Sequence, residues 1–213
     1  MNFNSQNIIF SAFLTLFVFS SGCAKNHRVF IDPEIPVHNS EIGRNLPVAV
    51  KVVDIRSSNI ISKWRGGLKV RKFTITSQGD LKDIFLTRIQ QGLSKLGFLP
   101  KTSNSRANRF LKVEILQIKS LYKENIPRMS VQVKADVKAT CQNHGESLSK
   151  IFTSRKKRSG INPATFPNEK LLNASLSELM GKMFSDPSLV ACLSRSPLSS
   201  SKATISDDYL FIN

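Results

Sequence analysis

The chain predicts an α+β fold: a mainly antiparallel five-stranded sheet with two long helices packed on one face, a two-layer sandwich. Three observations carry this expectation. Met129, Val131, Val133, Ala135, Val137, Ala139 and Cys141 alternate with polar residues, the period-two pattern of a strand with one buried and one wet face. Leu81, Ile84, Phe85, Ile89, Leu93 and Leu96 recur at steps of three and four, as do Leu171, Leu172, Leu176, Leu179, Met180, Met183 and Phe184, so each set forms the apolar stripe of a helix. The order strand, strand, helix, three strands, helix leaves both helices to cover one side of a single sheet.

Leu46 to Asp54 is short and rich in Val, and reads as the first strand. A polar link through Ser57, Ser58 and Asn59 follows, then a Gly66-Gly67 turn and a second strand from Leu68 to Thr76. The apolar phase of that strand changes between Val70 and Phe73, which predicts a bulge or an early bend there. Asp80 suits the N-cap of the first helix and Gly97 its stop. Phe110 to Leu121 is the third strand, with Leu111, Val113 and Ile115 in phase, and the alternating segment above is the fourth. Asn143-His144-Gly145 turns the chain into a fifth strand at about Leu148 to Lys157. Asp186-Pro187 has the form of an N-cap and first position of a short third helix carrying Cys192.

Ahead of this domain, Ile8 to Phe19 is an apolar run too short to span a bilayer, which takes roughly 20 residues, and it has the length of a signal-peptide core. Ser20, Ser21 and Gly22 then lead to Cys23. This resembles the lipobox of bacterial lipoproteins, although Ser20 stands where the box usually carries Leu. The resemblance implies removal of residues 1–22, acylation of Cys23 and, with Ala24 rather than Asp behind it, an outer-membrane destination on the periplasmic face. Ordinary cleavage before Lys25, releasing a soluble periplasmic protein, is the alternative. Residues 23–45 read as a lipidated N-terminus and flexible tether, 46–193 as a single periplasmic domain, and 194–213 as a Ser-rich mobile tail.

Several further segments resemble the YajG-like family of small, largely uncharacterised bacterial envelope lipoproteins. They are Cys23-Ala24-Lys25, Asp54-Ile55-Arg56, Leu96-Gly97-Phe98, Lys134-Ala135-Asp136 and Phe166-Pro167-Asn168. The resemblance implies a lipoprotein of unknown molecular function and supplies no catalytic residues.

The residues themselves offer no catalytic constellation either. His27, His38 and His144 are scattered, and HExxH, a GxSxG with an available His, a Walker sequence and GxGxxG are all missing. No metal, cofactor or enzymatic role is therefore expected; an envelope enzyme acting on wall or lipid substrates is the competing class. Cys141 and Cys192 are either a disulfide, in a compartment where disulfides persist, or two buried thiols. Asp54 and Arg56 could pair with each other or meet a partner's charge, and Asp136 reads as local charge balance between Lys134 and Lys138.

The strongest signal is charge. The chain carries 31 basic against 15 acidic residues, a net charge of +16. In cytosol this would point to nucleic acid; behind a signal peptide the available polyanions are anionic lipid and lipopolysaccharide. Two acid-free basic stretches are the candidate contacts. The first contains Lys63, Arg65, Lys69, Arg71 and Lys72 around the only Trp, Trp64, and the second contains Arg155, Lys156, Lys157 and Arg158. The expected partners are thus the membrane through Cys23, an anionic lipid or lipopolysaccharide surface, and an envelope protein, with no nucleic acid. A solubilising face is the plain alternative for the basic stretches.

Overall fold

The computed structural model describes residues 25–66, 71–102, 107–125, 128–160 and 169–196. In chain order these form β1 (Lys25–Val29), β2 (Pro47–Asp54), β3 (Ile60–Gly66), β4 (Arg71–Ser77), α1 (Leu81–Lys95), β5 (Leu99–Thr102), β6 (Arg109–Asn125), β7 (Arg128–Asn143), β8 (Glu146–Gly160), α2 (Glu169–Phe184) and α3 (Pro187–Ser194). The signal segment, Cys23, Lys69 and the tail beyond residue 196 lie outside the described residues.

The expectation of one mainly antiparallel sheet is corrected. There are two sheets: a five-stranded one in the order β5-β2-β6-β7-β8 and a three-stranded one in the order β1-β4-β3. In the larger sheet β2 runs parallel to both β5 and β6, whereas β6, β7 and β8 are antiparallel. The parallel pairing follows from α1, whose crossover returns the chain in its original direction. The second expected strand leaves the main sheet to pair with β3, a strand read as part of a polar link. Its expected bulge is not seen in the described residues; the register instead shifts in β3, between Ile60 and Ser62.

Local chemistry sets the element ends. Asp80 caps α1, its carboxylate accepting from Lys82 N at 2.8 Å. Gly97 leaves the helix at φ +81°, and a Cβ there would lie 2.8 Å from the Ser40 carbonyl, so both conformation and space require glycine. Between β7 and β8, His144 and Gly145 both take positive φ, 47° and 86°, the geometry of a tight hairpin turn. Asp186 caps α3, accepting from Leu189 N at 3.0 Å, with Pro187 in the first turn.

Residues 25–45, expected as a flexible tether, belong to the fold. β1 pairs in parallel with β4, and the chain then runs extended with Val29, Ile31 and Ile35 buried in the core. The N–H groups of Phe30, Asp32 and Glu34 donate to Glu169 Oε1, Asn173 Oδ1 and Ser177 Oγ, acceptors one turn apart on α2. Pro33 falls in the opposite phase, where no N–H is asked for, so the proline that suggested a loose segment suits a strap.

One cluster unites the helices, the strap, the small sheet and one face of β6–β8, including Phe85, Ile89, Leu93, Val133, Val137 and Leu176. At the Asn143 end of β7, Cys141 is bonded to Cys192 of α3. Asn143 Nδ2 donates to the carbonyls of Cys192 and Arg195 at 2.7 and 2.8 Å, and Arg109 Nη2 donates to that of Arg195 at 3.0 Å. The last turn of α3 is thus clamped to the sheet, and Arg195, expected in the tail, is part of the clamp.

Two stability predictions follow from this packing. A Cβ on Gly92 of α1 would come within 2.3 Å of the Phe184 ring. Gly92→Ala should therefore lower stability in urea by about 1–3 kcal/mol despite its better helix propensity, and Phe184→Leu should recover part of the loss; an unchanged midpoint would mean that Phe184 moves aside freely. Cys192→Ala should cost about 2–5 kcal/mol, because the bridge closes a long loop in the unfolded chain, and reduction of the wild type should reproduce that loss in the same urea titration.

Candidate functional site

Among the described residues, everything that packs on the main sheet lies on one side, which leaves the other face open. On β7 this face is the polar phase, with Gln132, Lys134, Asp136, Lys138 and Thr140. On β8 it carries Ile151, Thr153, Arg155 and Lys157, and Ile151 is 61% exposed. On β6 the register shift between Ile115 and Gln117 exchanges the two phases, so Ile118 replaces Ile115 in the core while Lys119, Leu121 and Lys123 turn outward.

Register brings like charges together. Lys119, Lys134 and Arg155 stand directly opposite one another on β6, β7 and β8, and Lys51 of β2 stands opposite Lys112 of β6. Facing cations on adjacent strands disfavour the sheet by a few tenths of a kcal/mol or more per pair, roughly 0.2–1 kcal/mol. Two acids offset part of this: Lys134 Nζ reaches Asp136 Oδ2 at 2.8 Å and Lys112 Nζ reaches Glu114 Oε1 at 2.7 Å. Hydrogen bonding by Lys112 holds the Glu114 carboxyl below its ordinary range, against a smaller opposing effect of burial. The face remains cationic, with two exposed apolar side chains, Leu121 and Ile151, set into it.

The basic stretches singled out in the sequence do not form one patch. The β8 pleat divides the run from Arg155 to Arg158: Arg155 and Lys157 join the open face, whereas Lys156 turns to the helix side and pairs with Glu178, which Lys182 also holds. Arg158 shares that helix-side phase but is exposed. In the small sheet, Lys63 is exposed and Trp64 stacks on Phe73 with ring centroids 5.1 Å apart, leaning on Tyr122 of β6 at 5.7 Å. Arg65 is in register with Lys72, and Arg71 with Gly66, at the end of the β3–β4 hairpin. The sequence reading missed Lys51 and Lys119. Lys134 and Lys138 were visible as the polar phase of β7, but only the pairing register shows what faces them.

Asp54 and Arg56 pair with each other, although Arg56 Nη1 is buried without a hydrogen-bond partner among the described residues. Arg56 Nε and Nη2 donate to the two carboxylate oxygens at 2.9 and 2.7 Å, and the Arg56 side chain is only 8% exposed. They line a groove with Lys51, Asp80 and Lys82. Among the described residues no group of three or more His, Cys, Asp and Glu side chains gathers as a metal site would require, and no helix is long and apolar enough to cross a membrane.

The described residues thus form a mixed two-sheet α+β domain with a cationic sheet face. The family model described as uncharacterized lipoprotein matches residues 33–194, and the chain belongs to that family. The resemblance to small uncharacterised bacterial lipoproteins therefore holds. No curated protein matches the chain. Among solved structures, protein XCC0632 from Xanthomonas campestris shares 11% identity over 76% of this chain and 92% of its own, with a TM-score of 0.47. A minor lipoprotein from Acinetobacter baumannii shares 12% over 66% and 88%, with a TM-score of 0.38. Lipoprotein GNA1162 from Neisseria meningitidis shares 10% over 64% and 96%, with a TM-score of 0.37.

The carboxylates give a pH prediction. At Asp186 burial pushes the carboxyl up, but the Lys150 ion pair and the α3 N–H groups outweigh it, and the group lies below its ordinary 3.8. Asp54 is lowered in the same way, with Arg56 outweighing burial. A carboxyl depressed on folding contributes its full stability above the unfolded-state value and loses it as pH falls through the folded-state value. Acid unfolding should therefore steepen below about pH 4, and Asp186→Asn should flatten that limb while costing stability at neutral pH. Superimposable acid limbs for the two proteins would remove Asp186 from the account.

Proposed function

We propose that this protein is an outer-membrane lipoprotein, acylated at Cys23 after loss of residues 1–22, whose periplasmic domain is a non-catalytic module binding an acidic envelope component. The lipoprotein family supports the anchor, and the chemistry of the cysteines agrees with it. The chain has three Cys, and two of them are bonded to each other, which leaves Cys23 for acylation. A disulfide also fits an oxidising compartment such as the periplasm.

The observation that carries the binding role is the row Lys119–Lys134–Arg155 on an uncovered sheet face. Aligned cations cost folding energy in isolation, and an anionic partner laid across them would remove that cost while gaining from the positive potential of the whole domain. Ile151 and Leu121 add exposed apolar contacts at a surface that is otherwise charged.

The test uses the soluble Cys23→Ala chain and long-chain inorganic polyphosphate as a model polyanion. Lys134→Glu should weaken binding several-fold at low salt, with the difference closing as salt screens the charges. Lys170→Glu, on the exposed side of α2, should leave binding unchanged. Equal losses from both variants would mean that only net charge matters and that the open face is no site.

A further inference from the structure

We infer that the bilayer holding the acylated chain lies against the hairpin end of the small sheet, with Trp64, Phe73 and Tyr122 at headgroup level. This rests on the lipid anchor proposed above. The described fold begins at Lys25, and whatever conformation residues 23 and 24 adopt, Cys23 lies within about 7 Å of Lys25 along the chain. A domain fastened that closely must meet the membrane with whatever surrounds Lys25.

The register says what that is. Lys25 of β1 is opposite Phe73 of β4, and Phe73 is opposite Trp64 of β3. Trp64 continues the row onto Tyr122 of β6, which is in register with Val131 of β7 and through it with Arg158 of β8. Moving away from this row the side chains become core: Ile61 and Ile75 are 2% exposed, and Ile118 is 1% exposed. Moving along it they are half-buried aromatics beside exposed Lys63 and Arg158.

Amphipathic rings ringed by lysine and arginine suit the membrane interface, where the ring sits among headgroups and the cation meets phosphate. The charge is one-sided. Glu124 is the one acid on the described strand segments 25–29, 60–66, 71–77, 119–125, 128–133 and 155–160. The open face, whose centre lies further along β6–β8 and on the other side of the sheet, is then directed away from the anchor row and stays available to a partner.

Trp64 is the only tryptophan, so its emission reports this seat without labelling. The full chain is purified from membranes, its acylation is established by intact mass, and it is reconstituted into vesicles of phosphatidylethanolamine and phosphatidylglycerol with acyl chains brominated near the glycerol. The seat predicts a blue-shifted Trp64 emission with about half or more of its intensity lost to the bromines. Joint reversal of Lys63 and Arg158 to Glu should restore intensity, whereas Lys170→Glu should not. An acylated, vesicle-bound chain with unquenched Trp64 would overturn the orientation and leave the anchor standing. Absence of acyl mass would overturn the anchor itself, and this inference with it.

Discussion

The structure depends on a mismatch of length. Strands β6, β7 and β8 contain 17, 16 and 15 residues, and at about 3.3 Å per residue each extends some 50 Å. The longest helix, α2, has 16 residues and at about 1.5 Å per residue covers roughly half that distance. One face of the strands is apolar along most of its length, so helices alone would leave much of it wet. The small sheet and the extended strap supply the missing cover, through Val29, Ile31, Ile61 and Ile75 in the same cluster as Ile118 and Val133. The first described residues are therefore drawn into the fold, because the sheet needs them there.

The same demand makes the two ends of the domain different. At the Asn143 end of β7, the Cys141–Cys192 bond and the Asn143 and Arg109 clamp hold α3 against strands that would otherwise fray. At the other end the strands run beyond the helices and meet β3, where packing relies on stacked aromatic rings and exposure rises. A rigid clamped end opposite an aromatic and basic end is the polarity on which the membrane orientation is built.

Among the described residues the cover lies on one face of the main sheet, and the other is open. Its polar phase carries charge that the core cannot hold, and it contributes part of the chain's net charge of +16. Pairings such as Lys112 with Glu114 temper this locally, but the row of Lys119, Lys134 and Arg155 is set by backbone register, which follows the apolar side. Side-chain charges on the wet face cannot shift that register, since a one-residue slip would expose the whole core phase. The cationic row is thus maintained by the hydrophobic face behind it.

Periodicity alone determined the long elements: the alternation of β7, the stripes of α1 and α2, the Asp80 and Asp186 caps and the turn at Asn143-His144-Gly145 are local properties of neighbouring residues, and each lies where the sequence puts it. Short or interrupted segments were not legible in that way. Leu99 to Thr102 is four residues with a proline and forms a strand only because the edge of β2 is there to pair with, and Pro33 masked the alternation of Val29, Ile31 and Ile35 in the strap. The candidate site divides along the same line. Basic composition was plain, but whether Lys119, Lys134 and Arg155 share a face, or Lys156 leaves it, depends on pleat, on the register shift at Gln117 and on strand order. Those are fixed by burial between residues far apart in the chain, and no window of sequence contains that information.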